Sequence, residues 1–165
     1  MSIFFNADEI FQMGLQIEVN GKEFYEAIAK KSSEASVQQF FYDLSKWELE
    51  HIRFFTRLKE ALPDSAKRGN SFDPGQELLT YLQATADSHV FLKNQNVNEL
   101  ASRCQTVMDA FDLAISFEKD SVVFYIMMKK VTPEEFGGEE IDRLIDEEIG
   151  HIAMLHQKKK DWEKR

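Results

Sequence analysis

The stretch FYDLSKWELEHIRFFTRL, residues 41–58, decides the fold, because it keeps an apolar stripe at helical spacing and interrupts it twice. Phe41, Leu44, Phe55 and Leu58 fall on one face at steps of three, four or their sums, as the core side of a helix requires. Glu48 and His51 occupy that same stripe, three residues apart. Residues 141–158, IDRLIDEEIGHIAMLHQK, repeat the arrangement. Ile141, Leu144 and Leu155 are apolar, and Glu148 and His151 stand where a core would want hydrocarbon. A shift of 100 residues superposes Leu44 on Leu144, Glu48 on Glu148, His51 on His151 and Ile52 on Ile152. The same shift lays Gly14–Lys31 on Ala114–Val131, matching Glu18 with Glu118, Phe24 with Phe124, Tyr25 with Tyr125 and Lys30 with Lys130. The chain reads as a duplicated helical hairpin.

Working outward, periodicity predicts four long helices. The first runs from about Asp8, read as its cap, to Lys31, and the second from about Val37 to Leu62, where Pro63 stops it. The third runs from about Val107 to Val131 before Thr132-Pro133, and the fourth starts after Gly137-Gly138 and reaches Trp162. Short links make the first two antiparallel neighbours, and likewise the last two. Residues 63–105 are the long connection. A 26-residue helix is about 39 Å long, so this segment can return along the whole bundle. Within it Gln76–Val90 reads as helical on Leu78, Leu79, Leu82 and Ala86, with loops at Lys67–Pro74 and Lys93–Asn98. The expectation is all-α: a ferritin-like four-helix bundle with one long crossover between helices two and three, residues 1–165 forming a single domain.

Composition agrees. Of 165 residues 43% are hydrophobic, enough for a sizeable core, and three prolines with seven glycines are too few for a many-turned β architecture. Twenty basic against 29 acidic residues leave a net charge of −9, which argues against a nucleic-acid partner. No apolar run approaches the roughly 18 residues of a membrane span, and Met1–Ile10 lacks a leader pattern. A cytoplasmic location without a membrane partner is expected. Cys104 stands alone, so neither an intramolecular disulfide nor a four-cysteine metal site can form.

Helices one and three each place one carboxylate on the inner face. Glu18 lies one heptad from Phe11 and Tyr25, and Glu118 one heptad from Phe111 and Tyr125. Four carboxylates and two imidazoles would then point into one bundle, and bare ionised glutamates there would be prohibitively costly. Two divalent cations balance the four charges. Positions i and i+3 share a helix face, so each Glu-x-x-His offers an oxygen and a nitrogen to the same side. Glu18, Glu48, His51, Glu118, Glu148 and His151 are the candidate ligands, a set known from di-iron and di-manganese carboxylate bundles. Such donors suit two iron ions, with manganese or zinc also able to bind. The competing reading puts Glu48 and Glu148 at the seam edge, paired with lysines.

Other residues take lesser roles. Tyr25 and Tyr125, two turns from Glu18 and Glu118, either pack in the core or hydrogen-bond a ligand carboxylate. Gly21 and Ser121 either leave room for a small oxidant or let helices approach closely. Glu50 and Glu147 read as solvated, His89 and His156 as surface or structural, Cys104 as an inert buried thiol.

On Glu18 with Tyr25, Glu48-Leu49-Glu50-His51, Glu118 with Tyr125 and Glu148-Ile149-Gly150-His151, the four long helices resemble the rubrerythrin branch of the ferritin-like superfamily. The resemblance implies a non-haem di-iron centre on the six candidate ligands, often in a homodimer. It also implies reduction of hydrogen peroxide or dioxygen, or ferrous oxidation, as in oxidative-stress defence. Rubrerythrins carry a four-cysteine rubredoxin-like domain that this sequence lacks, so a separate electron donor such as a rubredoxin-type protein is expected. They also tend to carry a carboxylate where Ser121 stands. Two alternatives remain at this point: iron storage in a larger assembly, and a metal-stabilised interaction bundle without catalysis.

Overall fold

The computed structural model describes residues 6–68, 77–89 and 96–164. Seven α-helices run through them in order: α1 (Ala7–Lys31), α2 (Ala35–Ala61), α3 (Asp64–Arg68), α4 (Glu77–Ser88), α5 (Val97–Arg103), α6 (Val107–Val131) and α7 (Gly138–Glu163). A 3₁₀ turn at Glu134–Phe136 precedes α7. The described residues contain no strand. The four long helices lie within two residues of their expected bounds.

Local chemistry sets the helix ends. Asn6, not Asp8, caps α1: its side chain accepts from the Glu9 amide at 2.9 Å, and the Glu9 carboxylate takes the Asn6 amide at 3.0 Å. Asp8 falls instead in the first turn, where a negative charge suits the helix dipole. Thr106 and Asp109 build the same reciprocal cap on α6. Lys30 and Lys31 close α1 and Lys129 and Lys130 close α6, each pair at the negative end of its dipole. The turn into α7 passes through Gly137 at φ +107°, a backbone state that glycine adopts without strain.

Packing follows the duplicated hairpins. α1 lies along α2 and α6 along α7, while the crossover helix α4 packs on α6 and α5 on α1. The expected crossover helix is present as Glu77–Ser88, and its expected end residues Gln76 and Val90 lie outside the described residues. The expected loops are partly helical: Lys67 belongs to α3, and Val97 opens α5 behind an Asn96 cap. The remaining parts of those loops, 69–74 and 93–95, lie outside the described residues. A zipper of aromatic rings fills the bundle below the Glu/His level: Phe40, Phe41 and Phe111 contact one another, and Tyr25 joins Phe41 to Phe117, all in edge or tilted contact at 5.5–6.0 Å. Above that level Phe55 packs on Tyr125 at 5.5 Å. Each such ring contributes about 1.5–3 kcal/mol on burial. These two aromatic floors hold apart a polar layer in the middle of the bundle.

Candidate metal centre

All six candidate ligands converge in that layer. Glu18, Glu48, Glu118 and Glu148 are at most 1% exposed, and His51 and His151 are 3% and 5% exposed. Two overlapping tetrads emerge: Glu18, Glu48, His51 and Glu148, and Glu48, Glu118, Glu148 and His151. Within each, one donor atom per residue lies within 4.8 Å of all the others. Glu48 and Glu148 belong to both, as bridging carboxylates between two cations would. His51 Nδ1 faces inward, 2.9 Å from Glu148, 3.3 Å from Glu18 and 3.5 Å from Glu48. His151 Nδ1 lies 2.9 Å from Glu148 and 3.8 Å from Glu118.

The tyrosines bond to carboxylates across the bundle. Tyr25 on α1 donates to Glu118 on α6 at 2.5 Å, and Tyr125 on α6 donates to Glu18 on α1. Burial raises both phenols well above their ordinary range, and the carboxylate charges (Glu118 for Tyr25, Glu18 for Tyr125) raise them further. Both hydroxyls therefore remain donors at any working pH.

The carboxylate cluster is electrostatically incomplete by itself. Burial pushes Glu48 and Glu118 well above the usual carboxylate range, and the like charge of Glu18 or Glu148 adds to it. Burial also works against ionised Glu18, but the adjoining Glu48 carboxyl, the charge of His51 and the Tyr125 hydroxyl outweigh it and hold Glu18 low. Burial opposes charge on His51, yet Glu148 and Glu18 raise it overall. On His151 burial wins over Glu118 and lowers it. Among the described residues no lysine or arginine pairs with any of the four glutamates, so the lysine-paired alternative is not what this sequence folds into. Both oxygens of Glu48 and one of Glu118 are buried without a hydrogen-bond partner. Orphaned buried acceptors of that kind are costly, and hard oxygen and imidazole donors at these spacings fit metal ions.

One expectation needs correction, and the other residues resolve between the alternatives left open. Glu147 does not simply face water, because its Oε2 lies 3.0 Å from His51 Nε2 although the side chain is 63% exposed. Spacing along α7 alone could not reveal a partner on α2. His89 is fully buried, with its ring edge-on to Phe117 and Phe124 and its Nε2 3.3 Å from Ser121 Oγ. Gly21 serves close packing: an added Cβ would sit 2.7 Å from Phe117 Cζ. Ser121 is likewise enclosed, donating to the Phe117 carbonyl at 3.1 Å. Trp47, not singled out by the sequence pattern, stacks on His151. Glu50 pairs with Arg53 at the surface, His156 is exposed, and Cys104 is buried with its thiol pushed up by burial.

No protein-family model matches the chain, and no curated protein matches it. Among solved structures it is similar to a Thermotoga maritima protein provisionally assigned as ferritin-like diiron-carboxylate, with a TM-score of 0.67 and 20% identity over 95% of this chain and 96% of that one. At that identity the likeness speaks to the fold. The chain has the ferritin-like fold, and its bundle encloses a buried glutamate–histidine cluster that points to a metal site. Among the described residues no helix is long and apolar enough to cross a membrane.

Proposed function

We propose that the protein is a di-iron carboxylate oxidoreductase that reduces hydrogen peroxide or dioxygen with electrons from a separate donor. The observation that carries this reading is the pair of overlapping tetrads, sharing Glu48 and Glu148, with orphaned carboxylate oxygens between them. The similar solved structure, provisionally assigned as a ferritin-like diiron-carboxylate protein, supports the choice of metal, and the rubrerythrin-like motifs support the reaction class. When bound, two ferrous ions supply the two electrons that cleave an O–O bond, peroxide and two protons giving two waters.

The chain's own residues set the conditions. Glu18 and His51 would hold one ion, Glu118 and His151 the other, and Glu48 and Glu148 both. Tyr25 and Tyr125 hold the terminal carboxylates in place by their hydroxyls. Aromatic floors on either side exclude bulk water, which strengthens every charge interaction between them. Electrons come from a partner such as a rubredoxin-type protein, and a homodimer in the cytoplasm is the assembly proposed.

Anaerobic loading of metal-free protein with ferrous iron, followed by elemental analysis and addition of hydrogen peroxide, tests the reading. Two irons per chain are expected, with peroxide consumed one for two ferrous ions oxidised. A chain that retains no iron, or loaded protein indifferent to peroxide and dioxygen, would overturn it. Native mass then separates a dimer from the closed shell that storage needs.

A further inference from the structure

We propose that the two halves of the metal centre are inequivalent by construction: Glu147 makes the half with Glu18 and His51 the tighter one, and Trp47 covers the other. The proposal rests on the metal-binding reading above and deepens it. The duplication matches ligand for ligand and tyrosine for tyrosine, but it breaks at the residue just before each Glu-x-x-His. Trp47 stands in the first repeat and Glu147 in the second, and each reaches across to the other repeat's histidine.

The two contacts do different things. Glu147 Oε2 lies 3.0 Å from His51 Nε2, so the ring donates its outer N–H and presents Nδ1 to the carboxylates. A carboxylate in that position fixes the ring's orientation and tautomer and makes the inner nitrogen a stronger donor. The Trp47 indole instead lies flat on the His151 ring, centroids 5.0 Å apart and planes 14° from parallel. A stacked face limits rotation but accepts no N–H. Among the described residues the outer nitrogen of His151 has no hydrogen-bond acceptor, its Nδ1 being the atom that faces Glu148 and Glu118. A cavity of about 230 Å³, lined in part by Glu50, His51, Arg57, Arg143 and Glu147, lies against the His51 half. The first ion therefore fills the His51 half. The second fills the His151 half, where the indole is in contact with its ligand.

Ferrous iron titrated without oxygen into the metal-free full chain, followed by calorimetry and tryptophan emission, reads both steps. Two affinities are expected, with indole emission changing only in the weaker step and that change lost in Trp47→Phe. Glu147→Ala should weaken the tighter step by roughly 10- to 100-fold and leave the weaker one nearly unchanged. Glu147→Gln, whose amide oxygen still accepts the N–H, should recover part of the loss. Because the Glu147 side chain is mostly exposed, neither variant threatens the fold. A single affinity for both ions, an equal loss at both steps in Glu147→Ala, or emission that follows the first ion would each overturn the inequivalence while leaving the metal reading intact. No binding at all would overturn the metal reading, and this proposal with it.

Discussion

Tyr25 and Tyr125 show how far a single side chain reaches in this bundle. Each hydroxyl crosses from one hairpin to the other and ends on a buried carboxylate. A hydrogen bond to a charged group contributes roughly 1.5–3 kcal/mol, and its removal leaves the acceptor stranded. Tyr125→Phe should therefore lower the stability of the protein by about 2 kcal/mol in urea denaturation, and Tyr25→Phe by a similar amount. The double variant should fall short of the sum, because both bonds serve one coupled cluster. Losses below about 0.5 kcal/mol for both single variants would mean that the tyrosines merely pack. The sequence showed both tyrosines at the right heptad positions but left core packing and hydrogen bonding open. The choice depended on which helix faced which, and that is a property of the assembled bundle. For the same reason the six inward donors were legible from their places on apolar stripes, whereas the Glu147 and Trp47 contacts were not. A long side chain at the edge of a stripe can turn to a neighbouring helix that periodicity does not identify.

At the scale of elements, the glycines of α1 and α7 make opposite demands. In open helix, glycine is about 1 kcal/mol worse than alanine, so Gly150→Ala should stabilise by about that much, since an added Cβ meets nothing within 4 Å. Gly21→Ala adds its methyl 2.7 Å from the Phe117 ring and 3.5 Å from the Glu48 carboxylate carbon. Overpacking of this kind costs roughly 1–3 kcal/mol, which offsets or exceeds the helix gain. Thermal melts of the two variants should move in opposite directions, and a stabilised Gly21→Ala would show that α1 and α6 are less closely packed than described. The crossover carries a second prediction. His89 follows α4 directly and is buried against Phe117 and Phe124; burial lowers its pKa to about 4, and the charge of Glu18 opposes this only in part. The unfolded chain takes up that proton near pH 6.5, so His89 costs stability as pH falls from there towards 4, by up to about 3 kcal/mol. The difference in stability between wild type and His89→Gln should shrink or reverse over that window, and a difference independent of pH would place the ring in water. The long helices were legible because 25 or so residues give periodicity room to declare itself. α3 and α5, at five and seven residues, are too short for that, and the burial of His89 comes from α4 docking on α6.

The whole molecule balances a well-packed bundle against a charged layer that no lysine or arginine among the described residues neutralises. Without metal, Glu48 and Glu118 favour the protonated form because of burial and neighbouring carboxylates, and His51 favours the charged form because of Glu148 and Glu18 despite its burial. All three have folded-state affinities for protons above those of the unfolded chain. Their contribution is thus present at low pH and is lost as pH rises, from about 4.5 upward for the glutamates and from about 6.5 upward for the histidine. Metal acts in the reverse sense, because ligands must shed protons to bind it and binding strengthens as pH rises. Each site at a free metal concentration 100 times its dissociation constant adds about 2.7 kcal/mol, so two sites add about 5 kcal/mol. For a chain of this size that corresponds to a rise in melting temperature of roughly 10–20 °C. Chelated and ferrous-loaded protein should therefore melt close together near pH 5 and draw apart towards pH 8, the metal-free curve falling while the loaded curve holds. Melting curves that stay together at every pH would mean that the buried glutamates have found another way to carry their charge, and the reading of this layer as a metal centre would go with them.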